Sequence, residues 1–216
     1  MKIDAPVQTL GEHEIRLMRE SDAPRVVDLY RAIYGDYYPI AEMYDPQHLF
    51  RQQEAGLMCR AVIADATGRI LGQYGLFRLN ECYHGLYEAG HAMVLKECRG
   101  MGYETALHVY AIRVLMPLIG GEELWGETVA NHVFMQRSAL RIGAKEWGIE
   151  LDLMPAESYA SEKSASGRVS AVVHSVCYRE KPHTVYLPVP YADLLKNIYD
   201  HAGRNRRLEA ASGALP

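Results

Sequence analysis

A glycine-rich turn between an apolar strand and a helix is the segment of this sequence best suited to chemistry. Residues 93–107 read MVLKECRGMGYETAL, so Arg99, Gly100 and Gly102 directly precede an apolar helical stretch. The first N–H groups of a helix are unpaired and carry partial positive charge, and glycines let the backbone approach an anion. We therefore expect the turn to hold a phosphate group. The alternative is an ordinary strand-to-helix turn, because short glycine motifs recur by chance.

Composition excludes several other classes of function. The chain has 216 residues, 49% of them hydrophobic and 23% charged, with a formal net charge of −4, which argues against a nucleic-acid partner. Because it contains neither a leader-like N-terminus nor about 18 consecutive apolar residues, we expect no membrane partner and a cytoplasmic location. No His, Cys and Asp spacing resembles a metal site, so no metal is expected. The cysteines are widely spaced and predicted to be free: Cys59, Cys82, Cys98 and Cys177.

Hydrophobic periodicity predicts an α/β (α+β) fold that contains an antiparallel meander over residues 57–96. Residues 1–12 read as a loose lead. Strands are predicted at residues 14–18, 57–66, 69–79, 86–96, 124–129, 145–154 and 169–178. Helices are predicted from a cap at residues 21–22 to Gly35, from residues 45–46 to 53, at 103–118 and at 131–141.

The chain is predicted to form one domain, residues 1–182, followed by a short C-terminal extension, residues 183–216, packed on it. The extension contains an extended segment broken by Pro188 and Pro190, a helix and a frayed tail. Residues 184–201 are expected to cover either an acceptor cleft or a dimer interface, so a homodimer is retained among the expectations.

The element order and the glycine turn resemble those of the GNAT superfamily of N-acetyltransferases. That family carries an apolar residue, any residue and a valine at the end of its fourth strand, and then Arg or Gln followed by x-x-Gly-x-Gly or Ala. Here Ala92, Met93 and Val94 precede residues 99–104, which read RGMGYE. An Asn opens the next helix about 29 residues after the second glycine, and Asn131 stands there. Residues 127–137 and 186–188 also resemble a subgroup found alone or fused to anti-sigma or histidine-kinase-like ATPase modules.

The resemblance implies a mixed, mostly antiparallel central sheet flanked by helices, and it implies that acetyl-CoA is the co-substrate. Its pyrophosphate would bind the backbone amides of the turn, its pantetheine would pair with the backbone of residues 92–94, and Asn131 would bind the pantetheine arm. The alternative role of Asn131 is a helix N-cap. The expected binding residues are Ala92, Met93, Val94, Arg99, Gly100, Met101, Gly102, Tyr103, Glu104 and Asn131. Glu104 departs from the family pattern, because a carboxylate close to a pyrophosphate would repel it unless it points away.

Glu88 is the base that the resemblance favours, because several members of the family carry a catalytic glutamate six residues before the strand-ending valine. Alternation along the strand places Glu88 on the same face as Val94 and His91 on the opposite face. His91 and Glu127 are competing bases, and a solvated carboxylate is the alternative for Glu88. The oxyanion is expected to meet a bulged backbone N–H near residues 93–95.

The general acid has no clear candidate, because Ser138 and Ala139 stand where the family tends to place a tyrosine. Ser138 is retained as a catalytic candidate that assists the departing thiolate, although a small residue packed between helices is the alternative.

Two functions of different classes follow from the resemblance. The first is an acetyl-CoA-dependent N-acetyltransferase that acts on a primary amine of a small molecule or peptide. In this case the tyrosine-rich segment, residues 30–44, would form the acceptor pocket, although its rings equally suit ordinary packing. The second is a non-catalytic sensor that binds CoA or another ligand and signals to a partner.

Overall fold

The computed structural model describes residues 3–78, 83–159 and 165–211 of the 216-residue chain. Eight strands form one sheet in the order β1-β2-β3-β4-β5-β6-β8-β7. They are β1 (Gln8–Leu10), β2 (His13–Leu17), β3 (Met58–Ala64), β4 (Ile70–Phe77), β5 (Leu86–Val94), β6 (Glu123–Val129), β7 (Lys145–Met154) and β8 (Val169–Cys177). Among the described residues of this sheet, β5 and β6 pair in parallel and the other neighbouring strands are antiparallel, so the expected mixed, mostly antiparallel sheet is confirmed.

Helices cover both faces of this sheet. They are α1 (Ala23–Tyr34), α2 (Pro46–Glu54), α3 (Tyr103–Tyr110), α4 (Met116–Leu118), α5 (Phe134–Arg141) and α6 (Ala192–Ala202). The hydroxyl of Tyr30 in α1 accepts a hydrogen bond from Gln73 in β4, whereas His108 in α3 stacks on the neighbouring Tyr74. Because adjacent residues of a strand point to opposite faces, α1 and α3 lie on opposite sides of the sheet.

Local sequence explains the limits of α1. Pro24 lies in the first turn, where its missing N–H costs nothing, and Gly35 ends the helix with a φ of 62°. Asp22 occupies the N-cap position, but its side chain does not cap the helix. Its carboxylate accepts hydrogen bonds from Arg16 at 2.5 and 3.2 Å instead, so this aspartate joins α1 to β2.

Three predicted boundaries were wrong, and one helix has the predicted ends but an irregular interior. Part of the predicted lead forms the edge strand β1, which pairs with β2. The helix predicted from residue 131 begins at Phe134. The helix predicted at residues 103–118 contains a π-helical turn, Ala111–Leu115, between α3 and α4. The tail expected to be frayed forms β10 (Arg207–Ala210), which pairs in parallel with β9 (Thr184–Leu187).

The described residues contain three free cysteines, Cys59, Cys98 and Cys177, while Cys82 lies outside the described ranges. No helix within those ranges is long and apolar enough to cross a membrane. Within the same ranges, no group of three or more His, Cys, Asp or Glu side chains is arranged to hold a metal ion.

Candidate active site

The glycine turn has the backbone geometry that the sequence predicted. Gly100 and Gly102 have φ values of 82° and 79°, and a Cβ added to either would meet no atom within 4 Å. Gly102 is the N-cap of α3, so the unpaired N–H groups at the start of that helix follow it directly. Met101 is 58% exposed, whereas Tyr103 is buried with its ring edge-on to His13. The turn therefore offers backbone donors at an open surface.

Glu104 directs its charge toward α5. Its carboxylate accepts hydrogen bonds from the Ser138 hydroxyl at 3.1 and 3.3 Å, and Oε1 lies 3.6 Å from Nδ1 of His108, one helical turn further along α3. Burial raises the pKa of Glu104. The expected repulsion of a pyrophosphate is therefore reduced by both the direction of the side chain and a greater tendency to be protonated.

Ser138 lies in a buried contact between α3 and α5. It is 6% exposed, and its hydroxyl is 2.9 Å from Nδ1 of His108 as well as bonded to Glu104. Burial and the neighbouring His174 lower the pKa of His108 to about 4, so its imidazole is neutral at pH 7. These contacts favour packing of the two helices, while the assignment of Ser138 to the thiolate stays a prediction.

The parallel pairing of β5 and β6 ends partway along both strands. It runs from Leu86 opposite Glu123 to Ala89 opposite Gly126, although β5 continues to Val94. A Cβ on Gly126 would lie 2.9 Å from the carbonyl oxygen of Ala89, so glycine permits the close approach at the last pair. Beyond it, Met93 and Val94 pair with β4 on one side and with none of the described strands on the other. The open edge leads to the glycine turn.

A β-bulge in β5 reverses the predicted facing of its side chains. The register with β4 shifts between Gln73 and Gly75, and His91 adopts a φ of 54°. Glu88 lies opposite Phe77, whereas Val94 lies opposite Gly72, whose added Cβ would meet Leu107 of α3. One extra residue changes the alternation, so the prediction that Glu88 and Val94 share a face was wrong.

His91 lies on the same face as Glu88, which also corrects the sequence prediction. Its ring centroid is 4.3 Å from that of Phe77, 5.4 Å from that of Tyr38 and 5.9 Å from that of Tyr30. Burial, together with the positive charge of Arg60, lowers the pKa of His91 well below its ordinary value. The imidazole is therefore neutral at pH 7 and lies among aromatic rings on the α1 side of the sheet.

Glu88 has the titration expected of a base that works near neutral pH. Burial and the negative charges of Glu127 and Glu150 raise the pKa of Glu88 to about 7. Burial and Glu150 also raise the pKa of Glu127. Three carboxylates, from β5, β6 and β7, therefore lie close together on this side of the sheet, and those that are ionised favour a cationic molecule.

Asn131 lies in the turn between β6 and α5. It is exposed and is not the helix N-cap, which is Val133, so that alternative was wrong. Gln136 secures this turn, since its amide donates to the carbonyls of Val129 and His132 at 3.0 Å each. Binding of a pantetheine arm by Asn131 stays a prediction.

Sequence reasoning missed two buried polar residues on the α1 side of the sheet. Arg60 in β3 and Gln73 in β4 are each 0% exposed, and both contact the hydroxyl of Tyr30. The available signal was a polar residue inside each of two apolar strands. Such residues are rarely buried without partners.

Comparison with known proteins identifies this architecture. No protein-family model and no curated protein sequence matches the chain. Among solved structures, an N-acetyltransferase from Staphylococcus aureus Mu50 has a TM-score of 0.62 and 16% identity over 77% of this chain and 99% of its own. The ribosomal-protein-S18-alanine N-acetyltransferase from Escherichia coli has a TM-score of 0.60 and 14% identity over 78% and 96%. Mutant forms of the spermidine/spermine N-acetyltransferase SpeG from Vibrio cholerae have a TM-score of 0.57 and 13% identity, over 77% of this chain and 95% of their own.

The chain has the fold of these N-acetyltransferases, so the fold that the resemblance implied is confirmed. The resemblance to the subgroup associated with ATPase modules stays a prediction.

Proposed function

We propose that this chain is an acetyl-CoA-dependent N-acetyltransferase that transfers an acetyl group directly to a primary amine of a small molecule or peptide. The observation that carries the proposal is the early end of the β5–β6 pairing at Ala89 and Gly126. It leaves an open strand edge that leads to two positive-φ glycines and a helix N-terminus. An extended amide-containing arm suits such an edge, and a pyrophosphate suits such a turn.

The proposed binding residues fit acetyl-CoA chemically. The backbone amides at residues 99–104 would hold the pyrophosphate, the backbone of residues 92–94 would pair with pantetheine, and Asn131 would bind the same arm. Nothing lies within 4 Å of a Cβ placed on Gly100 or Gly102, so the backbone is open to a bulky anion. When bound, acetyl-CoA supplies a thioester whose carbonyl accepts a nucleophile.

Glu88 is the proposed base, and the acidic face is the proposed entrance for the acceptor. A protonated amine is drawn toward the side of the sheet that carries Glu88, Glu127 and Glu150. Glu88, with a pKa of about 7, can take its proton and leave the neutral amine free to attack. The bulge lies at His91 and Ala92, slightly before the predicted position, and we propose that its backbone N–H groups face the developing oxyanion.

The names of the structural neighbours support an amine acceptor. SpeG is a spermidine/spermine N-acetyltransferase, and the Escherichia coli enzyme acts on an alanine of a ribosomal protein. These acceptors share an amine and differ in size, in agreement with the negative charge beside Glu88. The particular acceptor of this chain is not assigned.

We also propose that residues 183–211 pack on the acetyltransferase domain. The Arg204 side chain is 5% exposed, donates to Glu123 and Ser175, and lies 5.3 Å from the ring centroid of Trp147.

The extension exposes apolar side chains, including Tyr191 and Leu194. These suit a homodimer, and a monomer in sedimentation experiments would contradict that part of the proposal. The three free cysteines support a reducing, cytoplasmic environment.

Calorimetric titration with acetyl-CoA, combined with a thiol-release assay across a library of amines, tests the function. The proposal predicts binding and amine-dependent release of free thiol. Binding with no release for any amine would contradict catalysis and is the result expected of the ligand-sensing alternative. Absence of binding would contradict both functions.

A further inference from the structure

Four polar side chains from different elements meet on the α1 side of the sheet. We call this side, which carries Glu88 and the proposed entrance for the acceptor, the acceptor face. Arg60 (β3), Gln73 (β4) and Tyr30 (α1) are each 0% exposed, and His91 lies in the bulge of β5. Neutral acceptors surround the guanidinium, and it forms no ion pair with a carboxylate of the described residues. Burying a charge in this way is costly, so the cluster calls for an explanation beyond packing.

The orientation of the Gln73 amide follows from its partners. Arg60 can only donate, and its Nη1 lies 3.0 Å from Oε1 of Gln73. The backbone carbonyl of His91 can only accept, and it lies 3.2 Å from Nε2 of the same amide. Both contacts require the amide oxygen to face Arg60 and the amide nitrogen to face the bulge. Gln73 therefore also holds the bulge in place.

The Tyr30 hydroxyl then has one proton to give and one partner left. Its oxygen accepts from Nε2 of Gln73 at 3.0 Å and from Nη1 of Arg60 at 3.3 Å. The remaining contact is a short hydrogen bond to Nδ1 of His91. Because both acceptor positions of the hydroxyl are filled by N–H donors, its own O–H must donate to Nδ1. That nitrogen therefore carries no proton.

We propose that Arg60, Gln73 and Tyr30 hold His91 as the neutral imidazole with its proton on Nε2, so that His91 is a hydrogen-bond donor on the acceptor face and not a general base. The Tyr38 hydroxyl lies 3.4 Å from both ring nitrogens and does not distinguish the two tautomers, so the assignment follows from the contact with Tyr30. Arg60, Gln73 and Tyr30 are positioning residues that act through the ring. The catalytic part rests on the proposed function, whereas the tautomer does not.

The charges around the ring agree with a neutral imidazole. Arg60 and burial disfavour the protonated form, and this lowers the pKa of His91. Among the described residues, the rings of Tyr30 and Tyr38 contact that of His91, and Glu88, Glu127 and Glu150 lie on the same side of the sheet. A second proton on Nδ1 would also point at a hydroxyl whose lone pairs are already used. Removal of a proton from the acceptor consequently falls to Glu88.

Nitrogen-15 NMR of the full chain with labelled histidine tests the tautomer directly. Comparison with the His91→Gln variant identifies the signals of His91. The proposal predicts a protonated Nε2 and an unprotonated Nδ1, with neither shift moving between about pH 8 and pH 5.5. A proton on Nδ1, or titration at the ordinary histidine value, would overturn it. If His91→Gln fails to fold, sequential backbone assignment of the wild type identifies the His91 signals instead.

Removing the Tyr30 hydroxyl tests the positioning role. Tyr30→Phe deletes the donor to Nδ1, so the His91 signals are expected to shift toward a mixture of tautomers. Tyr44→Phe is the matched control, because its hydroxyl belongs to the same tyrosine cluster but donates to the carbonyl of Gly35 at 2.7 Å. Equal spectra for both variants and the wild type would contradict the proposed role of Tyr30.

Two substitutions of His91 separate a donor from a base. Glutamine retains an N–H near the position of Nε2 but cannot accept a proton at pH 7, and alanine retains neither property. Loss of a positioned donor lowers kcat by about 10²-fold in comparable sites. We therefore expect kcat to fall about 10²-fold in His91→Ala. The kcat of His91→Gln is expected to be at least about tenfold higher than that of His91→Ala. Equal loss in both would contradict the donor role, and inactivity of the wild type would contradict only the proposed function.

Discussion

Replacing Glu88 with glutamine removes the proposed base while keeping the size of the side chain. General-base catalysis contributes about 10²- to 10⁴-fold to the rate, so kcat is expected to fall by at least about 10²-fold. The wild-type pH profile follows from a Glu88 pKa of about 7. Roughly a tenth of the carboxylate is ionised at pH 6 and roughly nine tenths at pH 8. We therefore expect kcat to rise almost tenfold over this range in the wild type and to stay flat in Glu88→Gln.

Glu127→Gln is the matched control for this substitution. It removes one carboxylate on the same face but keeps Glu88. The Glu127 charge contributes to the raised pKa of Glu88. Its loss should therefore move the rise of kcat with pH (the pH limb) toward lower pH without abolishing it. The assay is thiol release at saturating acetyl-CoA with one amine, so that ionisation of the amine cancels between variants. A pH limb unchanged in Glu88→Gln would refute the assignment.

Glu88→Gln should also stabilise the folded protein at alkaline pH. The pKa of Glu88 rises from 4.5 to about 7 on folding, so the folded state binds more protons between these values. The stabilisation from this group is fully present below about pH 4.5 and is lost as pH rises through 7. The shift corresponds to about 3 kcal/mol, which solvent screening of a partly exposed group reduces to about 1–2 kcal/mol. Thermal unfolding at pH 8 and pH 5 measures the difference from wild type.

Three further substitutions, two of them with a matched control, test the proposed acetyl-CoA site and the C-terminal extension. Gly102→Ala should weaken acetyl-CoA binding and lower the free energy of unfolding by about 1–2 kcal/mol, because Gly102 has a positive φ. Gly148 has equal space around its Cβ position but no positive φ, so Gly148→Ala should change neither quantity. Calorimetric titration and thermal unfolding measure the two effects. Asn131→Ala should weaken CoA binding in the same titration, and unchanged affinity would remove its pantetheine role. Arg204→Ala should lower the free energy of unfolding by about 2 kcal/mol or more, because it leaves Glu123 without its cation. Arg207→Ala, with its side chain 78% exposed, should change that energy by less than about 0.5 kcal/mol.

Elements with strong local signals were predictable from the sequence. Pro24 and Gly35 delimit α1, and Asp45 caps α2 by accepting from the backbone N–H of Gln47 at 2.9 Å. The positive φ values of Gly100 and Gly102 also followed from the turn itself. These features depend on a few neighbouring residues, which the sequence displays directly.

The facing of the site residues depended on a feature without a local signal. The bulge at His91 contains no glycine at the residue with positive φ, and Gln73 supports it from the neighbouring strand. Alternation counted along β5 therefore placed His91 on the wrong face. Likewise, β10 forms only because β9 lies beside it, more than twenty residues earlier in the chain. Such pairings are set by tertiary contacts, which periodicity does not contain.

The central claim is that acetyl-CoA binds along the open edge of β5 and on the turn before α3. A crystal structure of the chain with bound CoA tests it most directly. The account predicts the pyrophosphate on the backbone amides between Arg99 and Glu104 and the pantetheine arm between β5 and β6 beyond Ala89 and Gly126. CoA bound at another surface, or an arm that contacts neither strand, would contradict it.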